Sequence, residues 1–314
     1  MSGGRVIVVA GPTASGKTAL GIALARHFGG EIISADSMQI YCRMNIGTAK
    51  ATPEERALAP HHMIDVVEPS EAYSVSRYVE EASACCDALL QCGKVPVIVG
   101  GTGLYIDSLL SGRDFGAAEE DETLRRRLNE QYDSLGGEAM LEKLRTFDPE
   151  RAAILHAADK KRIVRAMEVF LLSGETITAH DLRTRSIPPR YEAAFIIPGF
   201  RDRSLLYARI DERVDAMVSA GLFAEVESLL SSGVPESSTS MQAIGYKEVV
   251  SALHGEITAG EAIEMIKQSS RRYAKRQLTW FGRRTEALRL MHDELGHEEF
   301  LQTALSTCEE FLKK

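Results

Sequence analysis

The sequence predicts an α/β fold, a parallel sheet core flanked by helices, carrying an all-helical insertion domain. Two observations support this. Over the first 110 residues, short apolar β-branched runs alternate with longer stretches of helical periodicity, the order that yields right-handed crossovers and a sheet covered on both faces. From about Arg113 no strand-like run appears until AAFIIPGF (residues 193–200), and the interval is charged and helical. The 314 residues, 44% of them hydrophobic, are ample for a buried core.

Taken in order, RVIVVA (residues 5–10) is a buried strand that stops at glycine, and TALGIALARHF is a helix that stops at Gly29-Gly30. EIISA is a strand, followed by a looser segment to about Pro60, and HMIDVV reads as a further short strand. YSVSRYVEEASACCDALLQCG is a long helix, VPVIVGG a strand, and TGLYIDSLL a helix. The helical insertion is expected over residues 113–190, closing at the paired prolines of SIPPRY, which cannot continue a helix. The core then comprises residues 1–112 and 191–314, and the remainder after the strand at 193–200 is expected to be mostly amphipathic helix, including the long stretch TAGEAIEMIKQSSRRYAKRQLTWFGRR.

Composition narrows the functional classes. No apolar run of eighteen residues occurs, and five cysteines without C-x-x-C pairing form no disulfide framework, so a cytoplasmic protein with no membrane partner is expected. A net charge of −8 argues against indiscriminate coating of nucleic acid and leaves room for a local basic face.

Gly11-Pro12-Thr13-Ala14-Ser15-Gly16-Lys17-Thr18 matches G-x-x-x-x-G-K-[ST] in full, between a strand and a helix, so the core is P-loop NTPase-like. The glycines let backbone N–H groups converge on an anion, and the helix start adds its positive end. Lys17 contributes a point charge, and the Thr18 hydroxyl suits a phosphate-bound Mg2+. A kinase or ATPase normally adds a second carboxylate at a strand end. VPVIV ends in Gly100-Gly101-Thr102 without an acid, whereas EIISA ends in Asp36-Ser37. Carboxyl ends of parallel strands face the ligand crevice, which places Asp36 and Thr102 beside the bound phosphate.

GPTASGKT, DSMQIY followed by NIGTAK, HHMIDVVEP and VGGTGLY resemble the tRNA dimethylallyltransferases; RIDERVDAM, GLFAEV, AIGYKE and AKRQLTWF carry the resemblance to about Phe281. The tail after Arg284 carries little of it. The resemblance implies transfer of a dimethylallyl group from dimethylallyl diphosphate to the exocyclic N6 amine of the adenosine 3′-adjacent to the anticodon in tRNA, with release of diphosphate. Residues 11–18 would then hold a leaving diphosphate, with Mg2+ at Thr18. The chemistry demands as much: charge growing on the departing oxygens needs fixed N–H groups and cations, and a delocalised amine needs a carboxylate to take its proton. Asp36 is the candidate base; the alternative is a metal ligand or a helix cap. Thr102 would bond the carboxylate or the incoming amine, or cap the next helix.

The resemblance also places an arginine on the diphosphate, with Arg209 the first choice and Arg213 the second; both could instead pair with Asp211 and Asp215. Contacts to the tRNA anticodon stem-loop are implied at Asp36, Ser37, Met38, Gln39, Thr102 and Arg125, and at Lys161, Arg162, Ile163, Val164 and Arg165 in the insertion. The same holds for Gln242, Ala243, Ile244, Gly245, Tyr246 and Lys247, and for Lys275, Arg276 and Trp280. Basic residues interleaved with aromatics can track phosphates and stack on exposed bases; taken alone, such stretches read as solvated charged faces. A monomer is expected. Two neighbouring enzymes remain open, an adenylate dimethylallyltransferase acting on free AMP and a P-loop small-molecule kinase, together with a non-catalytic RNA-binding protein. The insertion and basic helix speak against the first, the absent second acid against the second, and the complete phosphate and base set against the third.

Overall fold

The computed structural model describes residues 4–111, 121–185 and 187–314, which divide into two compact units, Met1–Leu110 with Arg190–Lys314, and Ser111–Pro189. The expected start of the insertion, at Arg113, lies outside the described residues. In the first unit, strands β1 (Gly4–Ala10), β2 (Glu31–Ser34), β3 (His61–His62), β4 (Pro96–Gly100), β5 (Tyr191–Gly199) and β6 (Leu288–Met291) form one sheet in the order β3-β2-β4-β1-β5-β6. Every pairing is parallel. Val6 to Ala10 are fully buried, as a central strand covered on both faces requires. Ala10 lies opposite Gly100, and Ser34 opposite Val99, so the turns carrying Gly11, Asp36 and Thr102 all leave the carboxyl end of the sheet.

Helices α1 (Lys17–His27), α2 (Pro53–Leu58), α3 (Val75–Gln91) and α4 (Gly103–Ser111) follow the strands of this half. Two expectations change here. The segment before Pro60 contains α2, started by Thr52 and Glu55 in a reciprocal capping box. HMIDVV is not a strand along its length: pairing with β2 uses His61 and His62, and Met63 and Asp65 then turn away at positive φ of 60° and 56°. Lys50 explains the turn. Its buried ammonium reaches the Tyr41 carbonyl at 2.7 Å, Asn45 Oδ1 at 3.0 Å and Asp65 Oδ1 at 2.6 Å, ordering the loop between β2 and β3 around one cation.

The second unit is helical: α5 (Glu122–Leu135), α6 (Gly137–Arg145), α7 (Pro149–Ile154), α8 (Lys160–Ser173) and α9 (Ile177–Arg185). Its core collects Leu128, Met140, Leu144, Ile163, Val164 and Met167. Glu168, fully buried, is neutralised by Arg125 (Nε to Oε1 3.1 Å) and Arg165 (2.9 Å), the pairing that a buried carboxylate requires.

The remainder of the first unit consists of α10 (Arg203–Ser219), α11 (Leu222–Ser231), α12 (Tyr246–Leu253), α13 (Ala259–Phe281) and α14 (His297–Lys313). Thr258 and Glu261 form the capping box that starts α13, and Ala262, Ile266, Ala274, Gln277 and Phe281 recur at helical spacing on its buried face. The region is mostly helix, as expected, and also holds β6, a four-residue edge strand too short to show a period. The α14 residues Phe300, Ala304 and Cys308 join Ile7, Val9 and Leu24 in the main core, each large side chain contributing ~1.5–3 kcal/mol of transfer free energy.

Candidate functional site

The phosphate loop joins β1 to α1, and its conformation is set by residues distant in sequence. Gly16 has φ 82°, which an L side chain rarely adopts. Lys17 Nζ and Ser15 Oγ both donate to the Pro12 carbonyl, at 2.5 and 2.8 Å. Ser15 is thereby buried and contributes to the cradle through its backbone. Arg209 Nε donates to the Ala14 carbonyl at 3.2 Å, with its guanidinium over the Phe200 ring at 5.4 Å. Gln277 of α13 accepts from Thr13 N–H at 2.9 Å and donates to the Gly101 carbonyl at 3.0 Å, stapling the loop to the turn after β4. A Cβ at Gly101 would lie 2.2 Å from the Gln277 amide nitrogen, so this approach needs glycine.

A cavity of about 330 Å3 opens above the loop, its wall including Lys17, Thr18, Asp36, Arg213, Tyr273 and Arg276. Asp36 Oδ1 accepts from Met38 N–H at 2.9 Å, an Asx turn that orients the carboxylate at the end of β2. The Thr102 Oγ1 accepts from Ser37 N–H at 3.0 Å, tying the ends of β2 and β4 together behind Asp36. Gln242, Ala243, Ile244 and Gly245 also line the cavity. A second cavity, bounded by the loop, Arg209 and Arg213, adjoins Lys17 and Thr18.

Burial, reinforced by the neighbouring Arg213, pushes the Lys17 ammonium down to about 7, against an opposing pull from Asp36. Arg213 is itself lowered by burial, with Asp36 and Glu55 holding it up. Tyr273 is pushed up to about 12 by burial and the charge of Asp36, opposed by hydrogen bonds with the Thr102 and Gln277 side chains. The cavity wall thus brings three basic side chains, Lys17, Arg213 and Arg276, together with one acidic one, Asp36. Asp211 and Asp215, the alternative partners of the two arginines, are occupied elsewhere, by Arg271 and by Lys267 at 2.7 Å. Arg213 borders both cavities, whereas Arg209 is committed to the loop backbone.

Four residues expected against RNA are core residues: Ile163, Val164, Tyr246 and Ala243, the last of which also lines the cavity. Ile163 and Val164 are 0% and 4% exposed, because they fall on the inner face of α8, while Lys161 and Arg162 lie on its outer face. Tyr246 is 0% exposed, and its hydroxyl donates to Glu225 Oε1 at 2.6 Å. The same carboxylate accepts from the backbone N–H groups of Asn45, Ile46 and Gly47, at 2.9, 2.8 and 3.1 Å, holding the NIGTAK loop at the cavity wall. Arg272, Lys275, Arg276, Thr279, Trp280 and Arg283 line a shallow groove along α13. Trp280 is part-exposed, with its indole N–H bonded to Asp107 Oδ2 at 2.8 Å. Gln242 and Lys247 are exposed; Met38 and Gln39 are part-buried, and Gln39 donates to the Thr48 and Ala49 carbonyls at 3.3 Å.

Gln277 and Glu225 escape sequence reasoning because a single amide or carboxylate on an amphipathic helix has no spacing that marks it. Only packing against other elements shows what each one holds.

A G-x-x-x-x-G-K-T loop at the end of a central parallel strand, with the Asp36 carboxylate in the wall of the same cavity as Lys17, is an arrangement suited to a P-loop-fold group transferase. The model of the family described as IPP transferase matches residues 39–285, and that described as isopentenyl transferase matches residues 4–60. The chain belongs to the IPP transferase family. It is 47% identical over 280 residues to the tRNA dimethylallyltransferase of Carboxydothermus hydrogenoformans, covering 89% of each chain. The enzyme of the same name from Thermoanaerobacter sp. strain X514 is 45% identical over 278 residues, covering 88% of each. Among solved structures, the tRNA isopentenylpyrophosphate transferase of Bacillus halodurans is similar with TM-score 0.74 and 36% identity, covering 98% of this chain and 97% of that one. A eukaryotic dimethylallyltransferase acting on tRNA matches with TM-score 0.85 and 28% identity, covering 99% of this chain and 80% of that one.

Proposed function

We propose that the chain is a tRNA dimethylallyltransferase that transfers the dimethylallyl group of dimethylallyl diphosphate to the N6 amine of the adenosine 3′-adjacent to the anticodon. The observation that carries this reading is a cavity walled by both Lys17 and Asp36, leaving-group cradle and proton acceptor together. The named relatives are tRNA enzymes, which favours tRNA over free AMP as acceptor.

In this reading the N6 nitrogen attacks the allylic carbon as the carbon–oxygen bond to diphosphate breaks. Negative charge moves onto the departing oxygens, where the loop N–H groups, Lys17 and Arg213 stabilise it in a desolvated setting. The N6 proton passes to Asp36, whose Oδ1 is engaged by Met38 N–H, leaving Oδ2 as the receiving atom. Thr102 and Ser37 hold that turn against β4. Mg2+ takes oxygen ligands, keeps waters and favours substrate phosphates. The Thr18 hydroxyl borders the same cavity, and no cluster of three His, Cys, Asp or Glu suited to a metal occurs among the described residues. This donor set fits an ion held by Thr18 and the donor's own phosphate oxygens, supplying positive charge to the leaving group.

Lys161, Arg162 and Arg165 in the insertion, and Lys275 and Arg276 on α13, supply the phosphate contacts to the anticodon stem-loop. Extruding the adenine costs a few kcal/mol of unstacking, which binding along the stem offsets. Incubation with labelled dimethylallyl diphosphate and either unmodified tRNA or AMP tests the proposal. Label in tRNA is the expected result; label in AMP alone, or in neither acceptor, refutes it.

A further inference from the structure

The C-terminal segment lies beyond residue 285, where the match to the IPP transferase model ends, and the mechanism above gives it no task. It nevertheless reaches the phosphate loop. β6 pairs with β5 in the register Gly199↔Met291, and the next residue, His292, donates its backbone N–H to the Gly199 carbonyl at 2.9 Å. That register brings His292 Nε2 to 3.0 Å from the Ser15 carbonyl oxygen. A carbonyl only accepts, so Nε2 carries the hydrogen. The imidazole stacks on the buried ring of Phe300 from α14, centroids 4.2 Å apart at 13°, and Phe200 lies 5.1 Å away. Two aromatic rings from separate elements therefore fix its direction.

The consequence follows from peptide geometry. In a planar trans peptide the C=O and the following N–H point in opposite directions. Holding the Ser15 carbonyl outward on His292 therefore aims the Gly16 N–H into the cradle. Arg209 does the same one peptide earlier, through the Ala14 carbonyl, for the Ser15 N–H. Neither amide is bonded to another backbone acceptor among the described residues. Gly16 leaves the room for this contact: a Cβ there would sit 3.1 Å from His292 Nε2.

We propose that His292 is a positioning residue for the diphosphate, and that β6 and α14 form a brace that holds the phosphate loop in its anion-binding conformation. The proposal rests on the reading that this loop holds diphosphate.

Calorimetric titration of pyrophosphate with Mg2+ into the full-length protein tests both statements separately. If wild type binds no pyrophosphate, the functional reading itself fails. Given wild-type binding, His292→Leu keeps the volume and loses the donor, and pyrophosphate binding is expected to weaken about tenfold. His292→Gln, whose amide nitrogen can take the place of Nε2, is expected to stay within about threefold of wild type. The KM for tRNA stays unchanged in both. Wild-type pyrophosphate affinity in His292→Leu, or an equal loss in Leu and Gln variants, overturns the proposal. If His292→Leu does not fold, Phe300→Leu carries the test: a two- to fivefold (roughly) weaker affinity supports the brace, and unchanged affinity refutes it.

Discussion

Lys17 gives the sharpest test of how the cradle works, because its charge state depends on the surrounding fold. Burial and Arg213 bring its pKa down to about 7 in the unliganded protein. A bound diphosphate supplies compensating negative charge and restores the ammonium, so donor binding takes up a proton whenever Lys17 starts out neutral. Uptake follows the neutral fraction: about 0.1 proton at pH 6, about 0.5 at pH 7 and about 0.9 at pH 8. Above pH 7 the apparent Kd for dimethylallyl diphosphate is expected to rise about tenfold per pH unit until the pKa of the complex is reached. The ligand's own last phosphate ionisation lies near 6, so it contributes little in that range. Calorimetry in buffers of different ionisation enthalpy reads the uptake directly. The neighbours shift the midpoint in opposite directions: Arg213→Met moves it up by removing a like charge, and Asp36→Asn moves it down by removing the opposite one. Absence of uptake at pH 8 in wild type, or unchanged uptake in Lys17→Met, would refute the reasoning. The unliganded protein gives a second check. Between about pH 7 and the ordinary value of 10.5 the unfolded chain binds more protons at Lys17 than the folded one, so this residue makes stability rise with pH, and Lys17→Met flattens that rise.

Other expectations concern the remaining parts of the site. Asp36→Asn is expected to lower turnover by ~10²–10⁴ while pyrophosphate affinity at pH 6 stays within a few-fold; an equal loss of donor affinity would count against Asp36 as the base. Gln277→Leu leaves the Thr13 N–H and the Gly101 carbonyl without partners, which costs ~1–3 kcal/mol for each buried group, so denaturant unfolding should show a loss of at least ~2 kcal/mol. A loss below ~0.5 kcal/mol would mean that the staple carries no weight. Lys161→Glu with Arg162→Glu, both on the exposed face of α8, should weaken tRNA binding and flatten its salt dependence without changing pyrophosphate affinity. Equal tRNA affinity at low salt would remove α8 from the RNA-binding surface.

Local patterns of this sequence translate directly into local structure. The apolar run before Gly11 forms the central strand, G-x-x-x-x-G-K-T forms the loop between β1 and α1, and the strand running towards Asp36 brings it to the same end of the sheet as Thr102. Each signal sits within a window of about ten residues, where steric and hydrophobic periodicity act. Residue type also marks α8 and α13 as basic. It does not tell the inner face from the outer one at single-residue resolution, and Ile163 and Val164 on α8, like Tyr246 on α12, are core residues.

What lay outside the sequence's reach is everything that depends on contacts hundreds of positions apart. Gln277 touches Thr13 across 264 residues, His292 touches Ser15 across 277, and Glu225 gathers the N–H groups of residues 45–47 from about 180 positions away. A lone polar side chain has no period, and its partner is chosen by which backbone groups the sheet register and helix packing leave unsatisfied beside it. The sequence by itself determined a G-x-x-x-x-G-K-T loop between β1 and α1 and an acid, Asp36, at the end of the next strand. Only the tertiary structure decided how the loop's carbonyls are held outward, which arginine borders both cavities, and how burial lowers the affinity of Lys17 for its proton.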